Sequence, residues 1–358
     1  MIFWRRFFGT VILLLMFASC SEPKDVKSFQ AMNTFMTVQS FGKDSEKANQ
    51  AVMEKILELE NQISTTKESS LIYKLNSSNG QSVSFDDDTY ALIKFGVLMG
   101  IMTDGALNIA LYPVISAWGF TNENYRVPSD EEIASLLKKT DFTKIHFETE
   151  TDFENEPSAQ KISLEDGMMI DLGAIGKGYG GDLAAEILKE NGINCALMDF
   201  GGNIQAVGTK IDGSDWNIGI KNPWMNGGTE AGGSGTVGGA VAGVKIRDQA
   251  VITSGGYERF FADETGHKYI HIFDGKVGRP VESGIASVTI ISTSGLYADA
   301  LSTALFVMGT EKACEFWKTY ENFEMIILTD DEEIFYTDGL ENKISFHYDF
   351  KNQHVIHK

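Results

Sequence analysis

Hydrophobic and polar positions recur along this chain with two different periods, which predict helices and strands in an irregular order. Val52, Ile56 and Leu59 have helical spacing and predict an amphipathic helix over residues 45–61. Three aspartates at 86–88 are placed to cap a second long helix that runs to about residue 102. Further helices are predicted from the capping box at 129–132 and over 183–191, 296–308 and 311–320.

Short apolar runs bounded by turn residues predict the strands. They occupy residues 30–40, 161–164, 169–171, 196–200, 216–223, 249–254, 257–262, 268–273, 286–292, 323–328, 333–336 and 343–346. Several successive runs are close enough in sequence to form hairpins, as at the turn over residues 165–167. This irregular mixture of helices and hairpins predicts an α+β fold and argues against a regular βαβ alternation.

The most informative stretch, residues 169–182, reads Met-Ile-Asp-Leu-Gly-Ala-Ile-Gly-Lys-Gly-Tyr-Gly-Gly-Asp. It predicts a short strand that ends at Asp171, a glycine-rich bend that contains Lys177, and then the helix over 183–191. Glycine lets backbone N–H groups approach a ligand closely, and a helix N-terminus favours an anion. The stretch therefore predicts a phosphate-and-metal site, although its Gly-x-Gly-x-x-Gly spacing also fits a dinucleotide-binding fold.

The N-terminus has the features of a bacterial lipoprotein signal. Two arginines precede an apolar run at 11–17, which is too short to span a bilayer in the usual way, and small residues lead into Cys20. We therefore expect a signal peptide at 1–19, a lipid anchor at Cys20 and a polar tether at 20–28. The protein would then be held at a membrane of the cell envelope. An ordinary secretory signal with an incidental cysteine is the alternative.

Composition and charge narrow the class of ligand. The 358-residue chain carries a formal net charge of −20, which argues against nucleic acid because its phosphates would be repelled. The length beyond the tether can form one large domain or two intimately joined ones. We expect a single domain at 29–350, built of two intimately joined α+β lobes. The glycine-dense segment 227–243 predicts a flexible loop, most simply a tolerated surface insertion. Cys195 and Cys314 lie in apolar contexts and are expected to be separate buried thiols, and no zinc-type cluster appears.

Four groups of residues have the chemistry of a phosphate-transfer site. They are Asp171 with Lys177, the segment 253–259, His271 with the Gly-Arg-Pro turn at 278–280, and Asp299 with Thr303. Asp299 and Thr303 place a carboxylate and a hydroxyl on one helix face, and such hard oxygen ligands suit Mg²⁺. Each group also has a structural interpretation: the helix pair is locally hydrogen-bonded, and His271 is a satisfied core histidine.

Taken together and in this order, the motifs resemble those of the ApbE family of FAD:protein FMN transferases, over nearly all of the mature length. The matching blocks are Asp-Leu-Gly-Ala-Ile-Gly-Lys-Gly from 171, Thr-Ser-Gly-Gly-Tyr-Glu-Arg from 253, His-Ile-Phe-Asp-x-x-x-Gly-Arg-Pro-Val from 271 and Ala-Asp-Ala-Leu-Ser-Thr-Ala-Leu-Phe-Val-Met-Gly from 298. The resemblance implies an ApbE-like, T-fold-related arrangement of mixed sheets with packed helices. It displaces the dinucleotide-fold interpretation.

The resemblance also implies an activity and a set of site residues. The activity is a Mg²⁺-dependent transfer of FMN from FAD to a threonine hydroxyl of a flavoprotein subunit in the cell envelope, with release of AMP. The implied metal ligands are the Ala174 carbonyl and the Asp299 and Thr303 side chains, and the implied catalytic residues are His271 and Lys177. The implied FAD contacts are Met32, Thr66, Ala106, Leu107, Asn108, Asp171, Lys177, His271 and Ile272.

The chain departs from the family pattern at several of these positions. Thr66 stands where the family commonly has an aromatic residue, which removes a stacking surface, and Asn108 replaces an aspartate. Ile270 replaces the first histidine of a pair, and Gly275 replaces a proline. These changes leave two alternatives open: a Mg²⁺-dependent FAD pyrophosphatase that yields FMN and AMP, and a non-catalytic flavin-binding lipoprotein.

Overall fold

The computed structural model describes residues 24–151, 157–224 and 239–358, which form nineteen strands and eight α-helices in these ranges. The strands are β1 (Lys24–Ala31), β2 (Thr34–Phe41), β3 (Val83–Phe85), β4 (His146–Thr151), β5 (Pro157–Ser163), β6 (Cys195–Phe200), β7 (Asn203–Gly208), β8 (Trp216–Lys221), β9 (Ala240–Ile246), β10 (Ala250–Gly255), β11 (Phe260–Ala262), β12 (Lys268–Ile270), β13 (Phe273–Asp274), β14 (Arg279–Pro280), β15 (Ile285–Ser292), β16 (Phe323–Thr329), β17 (Ile334–Thr337), β18 (Ile344–Phe346) and β19 (Gln353–Ile356). The helices are α1 (Ser45–Ile63), α2 (Leu71–Asn76), α3 (Asp87–Met102), α4 (Tyr112–Ala117), α5 (Asp130–Leu137), α6 (Gly176–Glu190), α7 (Gly295–Met308) and α8 (Thr310–Thr319).

A nine-stranded sheet forms the central layer, in the order β1-β2-β6-β7-β10-β15-β16-β17-β19. Its neighbouring strands pair antiparallel, except that β17 and β19 are parallel. Two three-stranded sheets, β18-β9-β8 and β3-β5-β4, and two short ribbons complete the strand pairing of the described residues. The predicted α+β class with mixed sheets and packed helices is confirmed.

Strand β15 is buried along its whole length because both faces of the central sheet are covered. Ile290 contributes to the core beneath α7, whereas its neighbour Ile291 packs with Trp216 and Val244 of the β18-β9-β8 sheet. Successive side chains of a strand point to opposite faces, so one strand serves both cores. Helix α7 therefore lies against a rigid, fully packed layer.

The predicted tether at 20–28 is wrong from Lys24 onward. Residues of β1 pair with β2 along its whole length, from Lys24 opposite Phe41 to Ala31 opposite Thr34. This segment has little apolar character because β1 is an edge strand, held chiefly by backbone hydrogen bonds to one neighbour. Residues 1–23, with Cys20 and the expected signal peptide, lie outside the described residues.

The glycine-dense segment is shorter than predicted. Residues 240–243 belong to β9, where Ala242 pairs with Ile220 of β8 on one side and with Phe346 of β18 on the other. Small residues fit there because the strand lies between two neighbours in a packed sheet. Residues 227–238 of the predicted loop lie outside the described residues.

Two other predictions can be compared directly with the structure. Cys195 is buried, as predicted, whereas Cys314 is only half-buried, and the two form no disulfide with each other. None of the helices in the described part of the chain combines the length and apolar character that crossing a bilayer requires.

Candidate active site

Helices α6 and α7 approach so closely that their backbones nearly touch. A Cβ atom added to Gly178 would lie 2.2 Å from the Gly295 carbonyl oxygen. Helix α6 begins at Gly176, not near residue 183, and the predicted strand at 169–171 is wrong, since these residues have no regular secondary structure. Glycine disfavours a helix interior, but here close packing against α7 outweighs that intrinsic preference.

Asp182, which lies on α6, holds the N-terminus of α7. Its carboxylate accepts hydrogen bonds from the amides of Gly295 (2.6 Å) and Leu296 (2.9 Å) and from the Ser294 hydroxyl (3.0 Å). The side chain of Gln205 on β7 also donates to it, at 2.9 Å. A carboxylate at a helix N-terminus satisfies free N–H groups and complements the dipole. The two helices are thus joined by hydrogen bonds as well as by contact.

The close approach predicts a position-specific effect of added methyl groups. Gly178→Ala is expected to lower the free energy of unfolding by roughly 1–3 kcal/mol, because its Cβ would overlap backbone atoms that cannot rotate away. Gly180→Ala on the same helix is the matched control, since its Cβ would meet the flexible end of Ile56 at 3.1 Å. Denaturant unfolding of both variants measures the difference. Equal stabilities would contradict this account of the helix contact.

Asp299 lies at the contact between the two helices, with only 5 % of its surface exposed. Its Oδ2 accepts a hydrogen bond from the Gly178 amide at 2.8 Å. Burial raises the pKa of this carboxyl, while the Lys177 charge and the Gly178 amide act in the opposite direction. Thr303 follows one turn later on α7, and its hydroxyl oxygen lies 3.3 Å from that of Ser254 on β10.

The donor set around Asp299 fits a hard divalent cation. Asp299 and Thr303 supply side-chain oxygens, and Ala174 lies in the turn that leads into α6, whose Gly178 amide donates to Asp299. Within the described ranges, no group of three or more His, Cys, Asp or Glu side chains is placed to hold a metal ion. The predicted site contains a single carboxylate, so a Mg²⁺ bound there would keep water or phosphate oxygens as its other ligands.

Lys177, in the first turn of α6, is surrounded by carboxylates. Burial raises the pKa values of Asp199, Glu258 and Asp299, and the positive charge of Lys177 opposes that rise in each case. Glu258 remains accessible to solvent although protein surrounds it, as expected of a group on the wall of a cleft. A diphosphate entering this cleft would meet more negative than positive charge, which favours the participation of a metal cation.

His271 follows β12 and lies on the same cleft. Its Nδ1 is 3.1 Å from the Arg259 carbonyl oxygen, which can only accept, so Nδ1 carries the proton and Nε2 is left as an acceptor. Burial is the main cause that lowers the pKa of His271 to about 4, and the charges of Arg259 and Lys177 act in the same direction. A neutral imidazole with a free Nε2 has the form required of a general base.

Asp171 connects the cleft to the turn at 106–108. Its carboxylate accepts a hydrogen bond from the Gly173 amide at 2.8 Å, and its own amide donates to the Ile109 carbonyl at 2.8 Å. Burial raises the pKa of Asp171, and the positive charge of Arg259 lowers it. The structure thus brings Asp171, Lys177, His271 and Asp299 into one electrostatic cluster, which includes Arg259.

The side chains of the other predicted flavin contacts differ in burial and in hydrogen bonding. Leu107 and Ile272 are 1 % and 5 % exposed and belong to the main core, so a ligand would meet their backbone at most. The Asn108 side chain has partners within the protein, donating to the Thr140 carbonyl and accepting from the Ala110 amide. Thr66 is exposed, with its hydroxyl 3.2 Å from that of Ser64.

Met32 and Ala106 remain accessible. Met32 has a positive φ of 49° in the β1–β2 turn, and its amide donates to Glu60 at 3.0 Å. Ala106 lines a cavity of about 340 Å³ together with Asp274, Val307 and Phe316. That cavity contains none of the residues around Lys177. One of its lining residues, Val307, lies one turn beyond Thr303 on α7, about 6 Å along the helix axis.

Several site residues were not recognised in the sequence. Glu258 was visible only as part of a matching block, and Asp182, Asn203 and Gln205 carried no signal of their own. Asn203 is 5 % exposed, and its side-chain amide lies close enough to Asp299 to lower the pKa of that carboxyl. It therefore belongs to the surroundings of the candidate metal ligand.

Comparison with known proteins identifies relatives over most of the chain. The chain is 28 % identical to an FAD:protein FMN transferase from Treponema pallidum, covering 96 % of both chains, and 29 % identical to one from Escherichia coli K12, covering 84 % of this chain and 86 % of the other. The crystal structure of the ApbE protein from Thermotoga maritima superposes with a TM-score of 0.75 at 30 % identity, covering 90 % of this chain and 97 % of that one. An apo flavinyl transferase ApbE from Pseudomonas stutzeri gives a TM-score of 0.72 at 27 % identity, over 86 % and 92 % of the two chains. The model of the ApbE family matches residues 32–327, well over half of the chain, and this protein therefore belongs to the ApbE family.

Proposed function

We propose that this protein transfers FMN from FAD to a threonine hydroxyl of a flavoprotein subunit, with Mg²⁺ as the cofactor and AMP as the second product. The relatives named FAD:protein FMN transferase support the flavin-transfer reaction. The observation that carries the proposal is the position of Asp299, which accepts from the first turn of α6 and feels the charge of Lys177, with Thr303 one turn further along α7. Their oxygens and the Lys177 ammonium together suit a metal-bound diphosphate.

The predicted catalytic residues and metal ligands each have a role in that reaction. His271 accepts the threonine proton at Nε2 as the hydroxyl oxygen bonds to the phosphorus of the FMN half. The bond from that phosphorus to the bridging oxygen breaks, and AMP leaves with that oxygen. Lys177 lies where it can neutralise charge on the phosphates. Mg²⁺ bound by Asp299, Thr303 and the Ala174 carbonyl would supply Lewis-acid stabilisation of the phosphate oxygens.

Release of AMP in the presence and absence of an acceptor tests the proposal. The chain from residue 24 onward is incubated with FAD, Mg²⁺ and a folded flavoprotein domain that contains a candidate threonine. AMP release is expected only when the acceptor is present, and the amount of AMP should equal the amount of flavin that the acceptor gains. FAD bound without any AMP release would leave a flavin-binding protein and overturn the proposed reaction.

FAD hydrolysis is a second candidate, favoured by the exposed Thr66. An aromatic side chain there would stack on a ring of the nucleotide, and such contacts contribute about 0.5–1.5 kcal/mol. Thr66→Tyr is expected to lower the KM for FAD about threefold to tenfold, while Thr66→Val serves as the control without a ring. Steady-state AMP release measures both. An unchanged KM in the tyrosine variant would contradict a role of this position in nucleotide binding.

We further propose that the protein works in the cell envelope, anchored through Cys20. The basic, apolar and small-residue regions before that cysteine support this location. Its acceptors would be envelope flavoproteins. Metabolic labelling with a fatty acid is expected to mark the wild-type chain and to leave Cys20→Ser unlabelled, and labelling of that variant would contradict the anchor.

A further inference from the structure

The side chain of Arg259 is held at a fixed point between two elements of the cleft. Its guanidinium donates a hydrogen bond to the Phe120 carbonyl oxygen at 2.8 Å. Phe120 is buried in an aromatic cluster, with ring centroids 5.6 Å from Phe261 and 5.7 Å from Phe273. The acceptor of this hydrogen bond therefore cannot move without repacking several rings.

The backbone of Arg259 in turn holds His271. The Arg259 carbonyl oxygen accepts from the His271 amide at 3.1 Å and lies 3.1 Å from its Nδ1. These two hydrogen bonds determine both the orientation of the imidazole ring and the nitrogen that carries its proton. Loss of the guanidinium anchor would free this carbonyl to move.

We infer that Arg259 is a positioning residue for the proposed reaction, which anchors on Phe120 and keeps His271 neutral with Nε2 free to accept the threonine proton. The inference rests on the proposed function for its kinetic consequence only. The geometry itself links Phe120, Arg259 and His271 in one chain of contacts, independent of which substrate is bound.

Burial lowers the pKa of His271 most, the hydrogen bond to the Arg259 carbonyl opposes that shift, and nearby positive charge adds to it. The charged groups that act on His271 are Arg259, which precedes β11, and Lys177 from α6, and both disfavour a second proton on the imidazole. Arg259 also faces Asp171, whose carboxylate it helps to keep ionised. Removal of the guanidinium is therefore expected to make His271 easier to protonate.

Two substitutions separate the anchor from the charge. Arg259→Ala loses both, whereas Arg259→Gln loses the charge but keeps an amide donor for the Phe120 carbonyl. Arg247→Gln is the matched control, because Arg247 pairs with Asp215 on the surface, far from the cleft in the fold. Thermal unfolding of each variant confirms that it is folded before the comparison is made.

Nitrogen-15 NMR of the histidine rings in the full chain, with His271 assigned through His271→Gln, tests the inference without any substrate. The wild type and Arg259→Gln are expected to show the Nδ1–H tautomer at His271, and Arg259→Ala a mixture with the Nε2–H form. Both Arg259 variants are expected to raise the pKa of His271 by about one unit. In steady state, kcat should fall about tenfold in Arg259→Ala with little change in the KM for FAD.

An unchanged tautomer and an unchanged pKa in Arg259→Ala would overturn the inference, even if the enzyme is active. A changed tautomer in a chain that never transfers flavin would support the positioning role of Arg259 and contradict the proposed function instead. The two failures are thus distinguished by the NMR measurement.

Discussion

Asp299→Asn is expected to lower the rate of flavin transfer by about a thousandfold or more. Asparagine has the same shape and keeps an oxygen that can accept from the Gly178 amide, so the contact between α6 and α7 should survive. It lacks the negative charge that binds Mg²⁺, and metal stabilisation of a phosphoryl transition state is worth several kcal/mol. Each 1.36 kcal/mol corresponds to a factor of ten in rate. AMP release as a function of Mg²⁺ concentration measures the effect.

The control for this variant is Asp215→Asn, which removes a carboxylate from a surface ion pair with Arg247. It is expected to keep wild-type activity. Partial recovery of Asp299→Asn at high Mg²⁺ would agree with weakened metal binding. Full activity of Asp299→Asn at low Mg²⁺ would show that this carboxylate does not hold the metal.

His271→Gln is expected to reduce kcat by about two to three orders of magnitude at neutral pH. Glutamine can still donate to the Arg259 carbonyl, but it has no basic nitrogen to accept the threonine proton. In the wild type, the rate should decline as the pH falls through about 4, because burial lowers the pKa of His271 to that value. The variant should lose this acid limb. A pH–rate profile at saturating FAD measures both effects.

The matched control is His357→Gln, since His357 is an exposed residue that pairs with Asp338 near the C-terminus. Its profile should match that of the wild type. If the His271→Gln variant kept the wild-type rate, the proton acceptor would be another group of the cleft. Glu258 would be the first candidate, because it is a carboxylate whose pKa is raised by burial.

The same pKa shift has a consequence for stability. The pKa of His271 is lower in the folded chain, at about 4, than its ordinary value of 6.5. The unfolded chain therefore binds more protons between these values, and the contribution of His271 to stability is present above pH 6.5 and lost as the pH falls through about 4. In the His271→Gln variant, the free energy of unfolding should lack this part of its pH dependence.

Elements whose apolar spacing agrees with their tertiary surroundings were predictable from the sequence. Helix α1 buries Val52, Ile56 and Leu59 as its period predicts, and α3 is capped by Asp86 through the Thr89 amide. The apolar run of β15 was predictable because a strand covered on both faces must be apolar throughout. In these cases local preference and packing act together.

Elements that depend on a distant neighbour were not predictable. The first turns of α6 look like a loop because of their glycines, and only α7 explains why those positions must lack side chains. Strand β1 looks like a tether because an edge strand needs only the hydrogen bonds of β2. Neither partner is marked in the segment itself, so single-sequence patterns miss them.

The candidate site was predictable where chemistry and motif coincide. Asp299, Thr303, Lys177 and His271 were identified from the matching blocks, and the structure brings their elements to one cleft. Motif matching identifies positions along the backbone and does not identify what a side chain touches. For that reason it did not reveal that the Ile272 side chain is buried in the core.

Mass spectrometry of the acceptor tests the central claim most directly. After incubation with FAD, Mg²⁺ and this chain, the acceptor domain is expected to gain the mass of one FMN phosphoester on a single threonine. Its Thr→Val variant, and the reaction with Asp299→Asn, should show no gain. An acceptor that stays unmodified while free FMN and AMP accumulate would contradict the transferase and establish hydrolysis of FAD as the activity.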